Sequence, residues 1–315
     1  MPAIPQPVAS LLLAPDSDRN LPRMESTRSL ARRAGLLYVL AGSLAPFAFL
    51  YVPRMLIVEG DALATADRVR ASEGLLRAAI YGELYNATLL VFAALALYEL
   101  FKNVNPRTAI VMAALMLVSV PISYVNTLAH IAPLVLLKTP AIAAVLDPRQ
   151  IAGQVMFFLR LHNYGLVINQ IFWGLWLFPI ARLIQRSDFI PRWLAWPLYL
   201  AGAGYVLNSL GTLFLPPSLR WLTASLQALG VGELLFFGIY LLIWGARGYR
   251  VDRVAALLVV IAKVLGIASV GLLLLKRIGV LQYAGLVLVS LGVLLALVMR
   301  WRRTESSARR LEVIV

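Results

Sequence analysis

The chain contains no cysteine and only two histidines. Without cysteine, disulfides, iron–sulfur clusters, thiolate zinc sites and cysteine nucleophiles are all excluded. Charged residues are also scarce: they make up 14% of the chain, whereas a typical soluble domain carries about 25%. The composition therefore excludes an ordinary soluble domain and restricts any metal chemistry to a very small set of ligands.

What fills the chain instead is apolar sequence, with 61% hydrophobic residues and a mean hydropathy of +0.81. Each long apolar stretch exceeds the roughly 20 residues that a helix needs to cross the hydrocarbon layer of a bilayer. The stretches are 34–57, 78–101, 108–137, 156–184, 193–215, 221–246, 254–275 and 279–300. The sequence therefore predicts an all-α polytopic bundle of eight transmembrane helices, with seven as the alternative count.

The positive charge of the chain lies beside these stretches. Lys and Arg number 29 against 15 Asp and Glu. In a soluble protein this excess would suggest nucleic acid, but there is no basic stripe with interleaved aromatic residues, so no nucleic-acid partner is expected. More Lys and Arg fall on the side that holds both ends of the chain, which predicts cytoplasmic N- and C-termini. The expected partner is the lipid bilayer, and the expected location is a bacterial inner membrane.

The pattern divides the chain into four segments. They are a disordered basic tail at 1–30, a six-span core at 31–246, two further spans at 254–300 and a basic cytoplasmic tail at 301–315. Met24 is an alternative start, because a short basic leader would then precede the first span. In the first polar loop, Asp61 is predicted to cap a short helix lying on the membrane surface. Pro46, Pro121 and Pro133 predict kinks within spans.

A series of short segments gives the chain a family resemblance. They are RRAGLLY at 32–38, LIVEGDA at 56–62, ASEGLLR at 71–77, LHNYG at 161–165, PRWL at 191–194 and AGAGY at 201–205. In this order, over roughly residues 31–245, the chain resembles a bacterial multi-pass membrane family catalogued as domain of unknown function 4386. The resemblance implies a membrane fold and location but no activity. The last two spans look like an addition to the family pattern.

Polar side chains recur inside the predicted spans, where lipid offers them no partner. Helical spacing places Glu83 with Asn86, Asn126 with His130, and His162 with Asn169, each pair on one helix face. Glu83, His130, His162 and Asn208 fall at similar depth in the outer half of the predicted membrane. The sequence therefore predicts an outward-facing polar pocket walled by spans two to five. Its candidate residues are Glu83, Asn86, Asn126, His130, His162, Asn169 and Asn208.

A second feature is a pair of opposite charges within the predicted membrane. Glu233 and Lys263 lie at nearly equal depth on the sixth and seventh predicted spans, from the rise of about 1.5 Å per residue. An isolated charge at that depth is costly. The sequence therefore predicts an intramembrane ion pair between Glu233 and Lys263.

These features favour a protein that binds or translocates a small molecule or a lipid group. They leave enzymatic activity open, with the balance against it, and predict no cofactor. One alternative is a membrane-embedded metal-dependent hydrolase with zinc held by His130, His162 and Glu83, although no HExxH spacing supports it. Another is a haem bound between His130 and His162. A third is a structural or assembly protein in which the polar residues only join helices by hydrogen bonds.

Overall fold

The computed structural model of the protein describes residues 16–219, 233 and 237–246, and the regular structure within these residues is helical. The α-helices are α1 (Asp16–Ser43), α2 (Val52–Leu56), α3 (Ala62–Ala71), α4 (Glu73–Phe101), α5 (Pro106–Lys138), α6 (Pro140–Ala143), α7 (Pro148–Leu175), α8 (Leu177–Arg186), α9 (Ala195–Phe214) and α10 (Ile239–Ile243). A π-helix covers Phe47–Tyr51, and 3-10 turns cover Arg192–Leu194 and Pro217–Leu219. The prediction of an all-α protein is confirmed.

Four helical segments within the described residues are long and apolar enough to cross a membrane. They are Thr27–Leu56, Glu73–Phe101, Pro106–Lys138 and Pro148–Arg186, and they correspond to the first four predicted spans. The fifth predicted span, 193–215, corresponds to α9, a helix of 20 residues that is not among these four. Of the sixth, 221–246, only residue 233 and residues 237–246 are described, and the last two predicted spans lie outside the described residues.

Two helix boundaries differ from the sequence-based expectation. Helix α1 begins at Asp16, so residues 16–30 of the expected disordered tail are helical; Leu, Arg, Met and Glu in this stretch are good helix formers. The first predicted span is also not one continuous α-helix, because a π-helix at Phe47–Tyr51 follows Pro46 directly. Proline removes a backbone donor and disturbs the preceding turn, which is a common cause of such local widening.

Side-chain caps set the starts of two helices. The Asp61 carboxylate accepts a hydrogen bond from the backbone N–H of Ala64 at 2.9 Å, which confirms the predicted cap at the start of α3. At the start of α7, Asp147 and Gln150 form a reciprocal capping box around Pro148. This box begins the helix eight residues before the predicted start of the fourth span at 156.

The buried apolar side chains form two clusters at different levels of the bundle. One cluster joins α4, α5 and α8 through residues such as Leu97, Met112 and Ile180. The other joins the end of the first span to α3, α4 and α7 through residues such as Leu56 and Val155. On α4, α5 and α7 alike, the stretch between the two clusters carries buried polar residues, namely Glu83, Ser119, Thr127, His130, His162, Asn169 and Gln170. We call this stretch the polar layer.

Helix α5 lies between α4 and α7, and α7 also packs along α9. The α7–α9 contact is closest at Gly174 and Gly202. A Cβ atom on Gly174 would lie 2.5 Å from the Gly202 carbonyl oxygen, and one on Gly202 would lie 2.8 Å from the Gly174 carbonyl oxygen. Because neither glycine has a side chain, the two backbones approach as small residues allow in membrane helices.

We expect Gly174→Ala to destabilise the protein by about 1–3 kcal/mol, because the new methyl group would overpack against the backbone of α9. The measurement is the melting temperature of purified protein in detergent. Gly153→Ala, on the same helix, is the matched control, since a Cβ atom at Gly153 meets nothing within 4 Å. An equal effect of both substitutions would contradict the close approach of α7 and α9.

Candidate functional site

The two histidines of the chain and one glutamate meet in the polar layer. Glu83 comes from α4, His130 from α5 and His162 from α7. His130 Nδ1 lies 2.7 Å from Glu83 Oε1, and His162 Nε2 lies 3.1 Å from the same oxygen. Glu83, His130 and His162 are only 3%, 2% and 0% exposed. Three ionisable side chains from three helices therefore share one buried point.

Both nitrogens lie within ion-pair distance of Glu83 Oε1, but the contacts are poorly aligned for hydrogen bonds. Among the described residues, His130 Nδ1, His162 Nε2 and Glu83 Oε1 are buried and have no aligned hydrogen-bond partner. Buried polar atoms in folded proteins are nearly always paired, so an orphaned set calls for an explanation. Each of the three residues offers one ligand atom, and these atoms lie within 4.8 Å of one another. The cluster therefore has the composition and spacing of a metal-ligand set.

The two imidazole rings stack face to face. Their centroids are 3.4 Å apart, and their planes are inclined by 14°. Two positively charged rings at this separation would repel each other strongly in a buried site. Neutral imidazole is also the form in which histidine binds a metal. The stacking therefore suits two rings that are not both charged. To bind one ion through in-plane lone pairs, the rings would have to turn out of this nearly parallel arrangement.

A stripe of hydroxyl groups on α5 supports the cluster. The Thr127 hydroxyl donates to Glu83 Oε2 at 2.9 Å and lies at the same distance from the Ser123 carbonyl oxygen. One helical turn further from His130, the Ser123 hydroxyl donates to the Ser119 carbonyl oxygen at 3.0 Å. Thr127 thus fixes the second carboxylate oxygen, as outer partners commonly do for a ligating carboxylate. Glu83 Oε1 is left facing the histidines.

Asn126 holds the backbone of the helix that carries His162. Its amide Nδ2 donates to the His162 carbonyl oxygen at 3.1 Å. The amide can reach α7 because the position opposite is Gly165, where a Cβ atom would collide with Asn126 Oδ1. Asn126 therefore lies beside the cluster but contributes no ligand atom to it.

The other amides proposed for a pocket lie in hydrogen bonds between helices. Asn169 Nδ2 donates to the Ser123 hydroxyl at 2.7 Å, and Asn208 Nδ2 donates to Gln170 Oε1 at 2.8 Å. Asn86 Nδ2 donates to the Ala41 carbonyl oxygen at 2.8 Å. The structure thus groups Glu83, His130 and His162, whereas these three asparagines join neighbouring pairs of helices.

Sequence reasoning missed two parts of the site. The first is the α5 stripe of Ser119, Ser123 and Thr127, whose four-residue spacing leads to the face of His130 and was a usable signal. The second is Gln170 as the partner of Asn208. Their hydrogen bond connects two helices, so neither helix alone has a sequence pattern that predicts it. Hydroxyl groups in apolar helices were too common to single out, because they can bond to the backbone of their own helix.

Glu233 has a partner that the sequence did not predict. The Tyr38 hydroxyl donates to Glu233 Oε1 at 2.6 Å, and both residues are buried. Lys263, the predicted partner of Glu233, lies outside the described residues, so the ion pair stays a prediction. The tyrosine already provides one hydrogen bond to this carboxyl group within the apolar core.

A tetrahedral metal would require the three side chains to move. Zinc bonds of about 2.0–2.2 Å to nitrogen and oxygen place ligand atoms roughly 3.4 Å apart. The separations of 2.7 and 3.1 Å are shorter than this by roughly 0.3–0.7 Å, and the stacked rings would also have to turn toward the ion. Three protein ligands would leave a fourth position for water or another small ligand.

Comparison with known proteins identifies a family. The model of the family described as Domain of unknown function (DUF4386) matches residues 33–245. No curated protein and no solved structure matches the chain. Residues 33–245 include the polar layer on all three of its helices.

We expect Thr127→Val to destabilise the protein by about 1–3 kcal/mol, because the buried Glu83 Oε2 would lose its donor. The measurement is the melting temperature in detergent. Thr88→Val is the matched control: Thr88 lies on α4 and is exposed, and its hydroxyl contacts the Leu84 carbonyl oxygen and the Tyr124 hydroxyl. If Thr127→Val were no more harmful than Thr88→Val, the hydroxyl would not support the carboxylate.

Proposed function

The chain belongs to the DUF4386 family, whose description assigns no activity, and from its buried cluster we propose that it binds a divalent transition-metal ion within the membrane bundle. Glu83, His130 and His162 would be the ligands. The observation that carries the proposal is the convergence of three potential ligand atoms that are buried without aligned hydrogen bonds. This ligand differs from the small molecule or lipid group expected from the sequence, where zinc on these three residues belonged to the hydrolase alternative.

The chemistry of the ligands favours zinc among common ions. Two imidazoles and one carboxylate form a ligand set that zinc accepts, whereas calcium and magnesium prefer oxygen ligands. A metal ion would also offset the free energy needed to bury three ionisable side chains at this site. Three ionisable groups in an apolar core are expensive when they satisfy one another poorly, and a cation would give each ligand atom a partner.

We propose that the protein lies in a bacterial inner membrane with both termini in the cytoplasm. The support is the unequal distribution of Lys and Arg between the two sides of the predicted spans. In this orientation the helices that carry Glu83, His130 and His162 place the metal in the outer half of the membrane. Release to the outer side would make the protein a carrier or sensor of the ion.

A metal-dependent hydrolase is the second candidate. It is favoured by the fourth coordination position that three protein ligands leave for a water molecule. Against it, the three side chains are at most 3% exposed, so a substrate would have to open the bundle. Binding of the ion therefore fits the geometry better than catalysis. A purely structural role, in which polar residues only join helices by hydrogen bonds, accounts for the asparagines but not for the Glu83–His130–His162 cluster.

We expect purified wild-type protein to hold about one zinc ion per chain, as a site with three protein ligands can. Glu83→Gln and His162→Gln should each lower the zinc content about tenfold or more. Each substitution replaces a proposed zinc ligand with a side chain of similar size that binds zinc more weakly. The measurement is elemental analysis after purification without chelators. Asn208→Ala, which removes a buried polar group elsewhere in the core, should retain the zinc.

A second readout separates metal binding from a purely structural cluster. After metal removal and reloading, zinc at 100 times its dissociation constant should stabilise the wild type by about 2.7 kcal/mol. The Glu83→Gln variant should gain little. Equal stabilisation of both proteins, or zinc contents that do not differ between them, would contradict the proposed site.

A further inference from the structure

A second site lies at the start of the first membrane segment, away from the histidines. A cavity of about 310 Å³ is lined by Arg28, Ser29, Arg32, Arg33, Leu36 and Leu242. None of these six residues is acidic, and three carry a guanidinium group. The volume is at the lower end of the range typical of small-ligand pockets. The lining therefore has the charge to accept an anion and an apolar edge beside it.

Helical spacing explains how the arginines come together. Arg28 and Arg32 are four residues apart on α1, as are Ser29 and Arg33, so both pairs project from neighbouring faces of one helix. Helix α10 contributes Leu242 to the lining, and the turn after α10 packs beside two of the arginines. Gly245 has a φ of +61° there, and a Cβ atom on it would lie 2.9 Å from Arg28 Cγ and 3.4 Å from Arg32 Cγ. The arginine stems thus pack against a backbone turn that glycine makes possible.

One guanidinium group shows that the site is incomplete by itself. Arg32 Nε is buried and has no hydrogen-bond partner among the described residues. A buried donor of a charged group that lacks an acceptor is costly. Guanidinium groups bind phosphate through several parallel N–H donors, more effectively than a point charge does. An anion with several oxygens in the cavity would meet the guanidinium groups that line it, whereas Arg32 Nε itself is closed off from solvent.

The position of the cavity along the helix indicates the source of that anion. The membrane segment Thr27–Leu56 has 30 residues, which is about 45 Å at 1.5 Å per residue and longer than the roughly 30 Å hydrocarbon layer. Its first turns therefore lie at the level of the lipid headgroups. Leu36 and Leu40, one and two turns deeper, are 45% and 37% exposed. An apolar track for an acyl chain thus begins where the arginines end.

We propose that this cavity binds the phosphate group of an anionic phospholipid, with the acyl chains lying along Leu36 and Leu40. The Arg32 and Arg33 guanidinium groups hold the phosphate, and the Ser29 hydroxyl borders it. This site is independent of the metal cluster. Basic residues at the membrane surface attract anionic lipid in general. What distinguishes this site is a cavity lined by three arginines and no acidic residue.

The test is native mass spectrometry of purified wild-type protein in detergent. It compares the amount of bound dioleoylphosphatidylglycerol, an anionic lipid, with the amount of bound dioleoylphosphatidylcholine, a zwitterionic control. We expect retention of the anionic lipid, and a loss of roughly tenfold or more in the double variant Arg32→Gln, Arg33→Gln. The matched control is Arg54→Gln, Arg149→Gln, which removes two exposed arginines away from the cavity. Equal retention by the two double variants would overturn the proposal.

A second pair of variants tests the site without removing an arginine. Ser29 is exposed, so Ser29→Asp should fold while adding a negative charge to the cavity, and Ser29→Asn is its neutral isostere. We expect Ser29→Asp to reject phosphatidylglycerol and Ser29→Asn to retain it. Equal retention by both would overturn the proposal, even if the arginine variant fails to fold.

A final arm distinguishes the lipid from free phosphate. Inorganic phosphate and phosphatidylglycerol are each titrated against the melting temperature of the wild type. Stronger protection by the lipid at equal concentration supports the headgroup site. Equal protection by both would overturn the lipid assignment and identify the ligand as phosphate itself.

Discussion

The cost of placing ionisable groups in an apolar interior governs the architecture of this bundle. Glu83, His130 and His162 lie where neither water nor lipid can satisfy them. Their helices must therefore meet at one level, and the surrounding hydroxyl and amide groups follow from that requirement. Thr127 serves the carboxylate, and Asn126 ties α5 to the backbone of α7. Outside this polar layer the packing is mainly apolar, with the buried Tyr38–Glu233 hydrogen bond as an exception.

The structure separates two uses of polar residues in membrane helices. Asn86, Asn169 and Asn208 each donate to a neighbouring helix, which is the usual role of asparagine between helices. The Glu83–His130–His162 cluster differs, because its atoms approach closely without aligned hydrogen bonds. That difference in geometry, rather than burial or polarity alone, distinguishes a candidate ligand site from structural hydrogen bonding.

The sequence predicted the helical membrane fold well because length and hydropathy are local properties. Asp61 as a cap could likewise be predicted, since its hydrogen bond spans three residues. The sequence named Glu83 with both histidines only as the zinc ligands of one alternative, because depth along each helix says nothing about which faces meet. Close contacts such as Gly174 with Gly202, and partners such as Tyr38 with Glu233, depend on helix rotation and crossing. These quantities have no signature within a single span.

The cluster takes one residue from each of three long helices that follow one another along the chain. Glu83 on α4 and His130 on α5 therefore enter the membrane before His162 on α7. As the chain enters the membrane, the α4–α5 hairpin already unites the Glu83 carboxylate with the Thr127 hydroxyl and the His130 ring. This hairpin can shelter the carboxylate before α7 has been synthesised. The arrival of His162 then completes the ring stack and closes the polar layer. Of the three groups that face the Glu83 carboxylate, two therefore belong to the α4–α5 hairpin and one is supplied by a later helix.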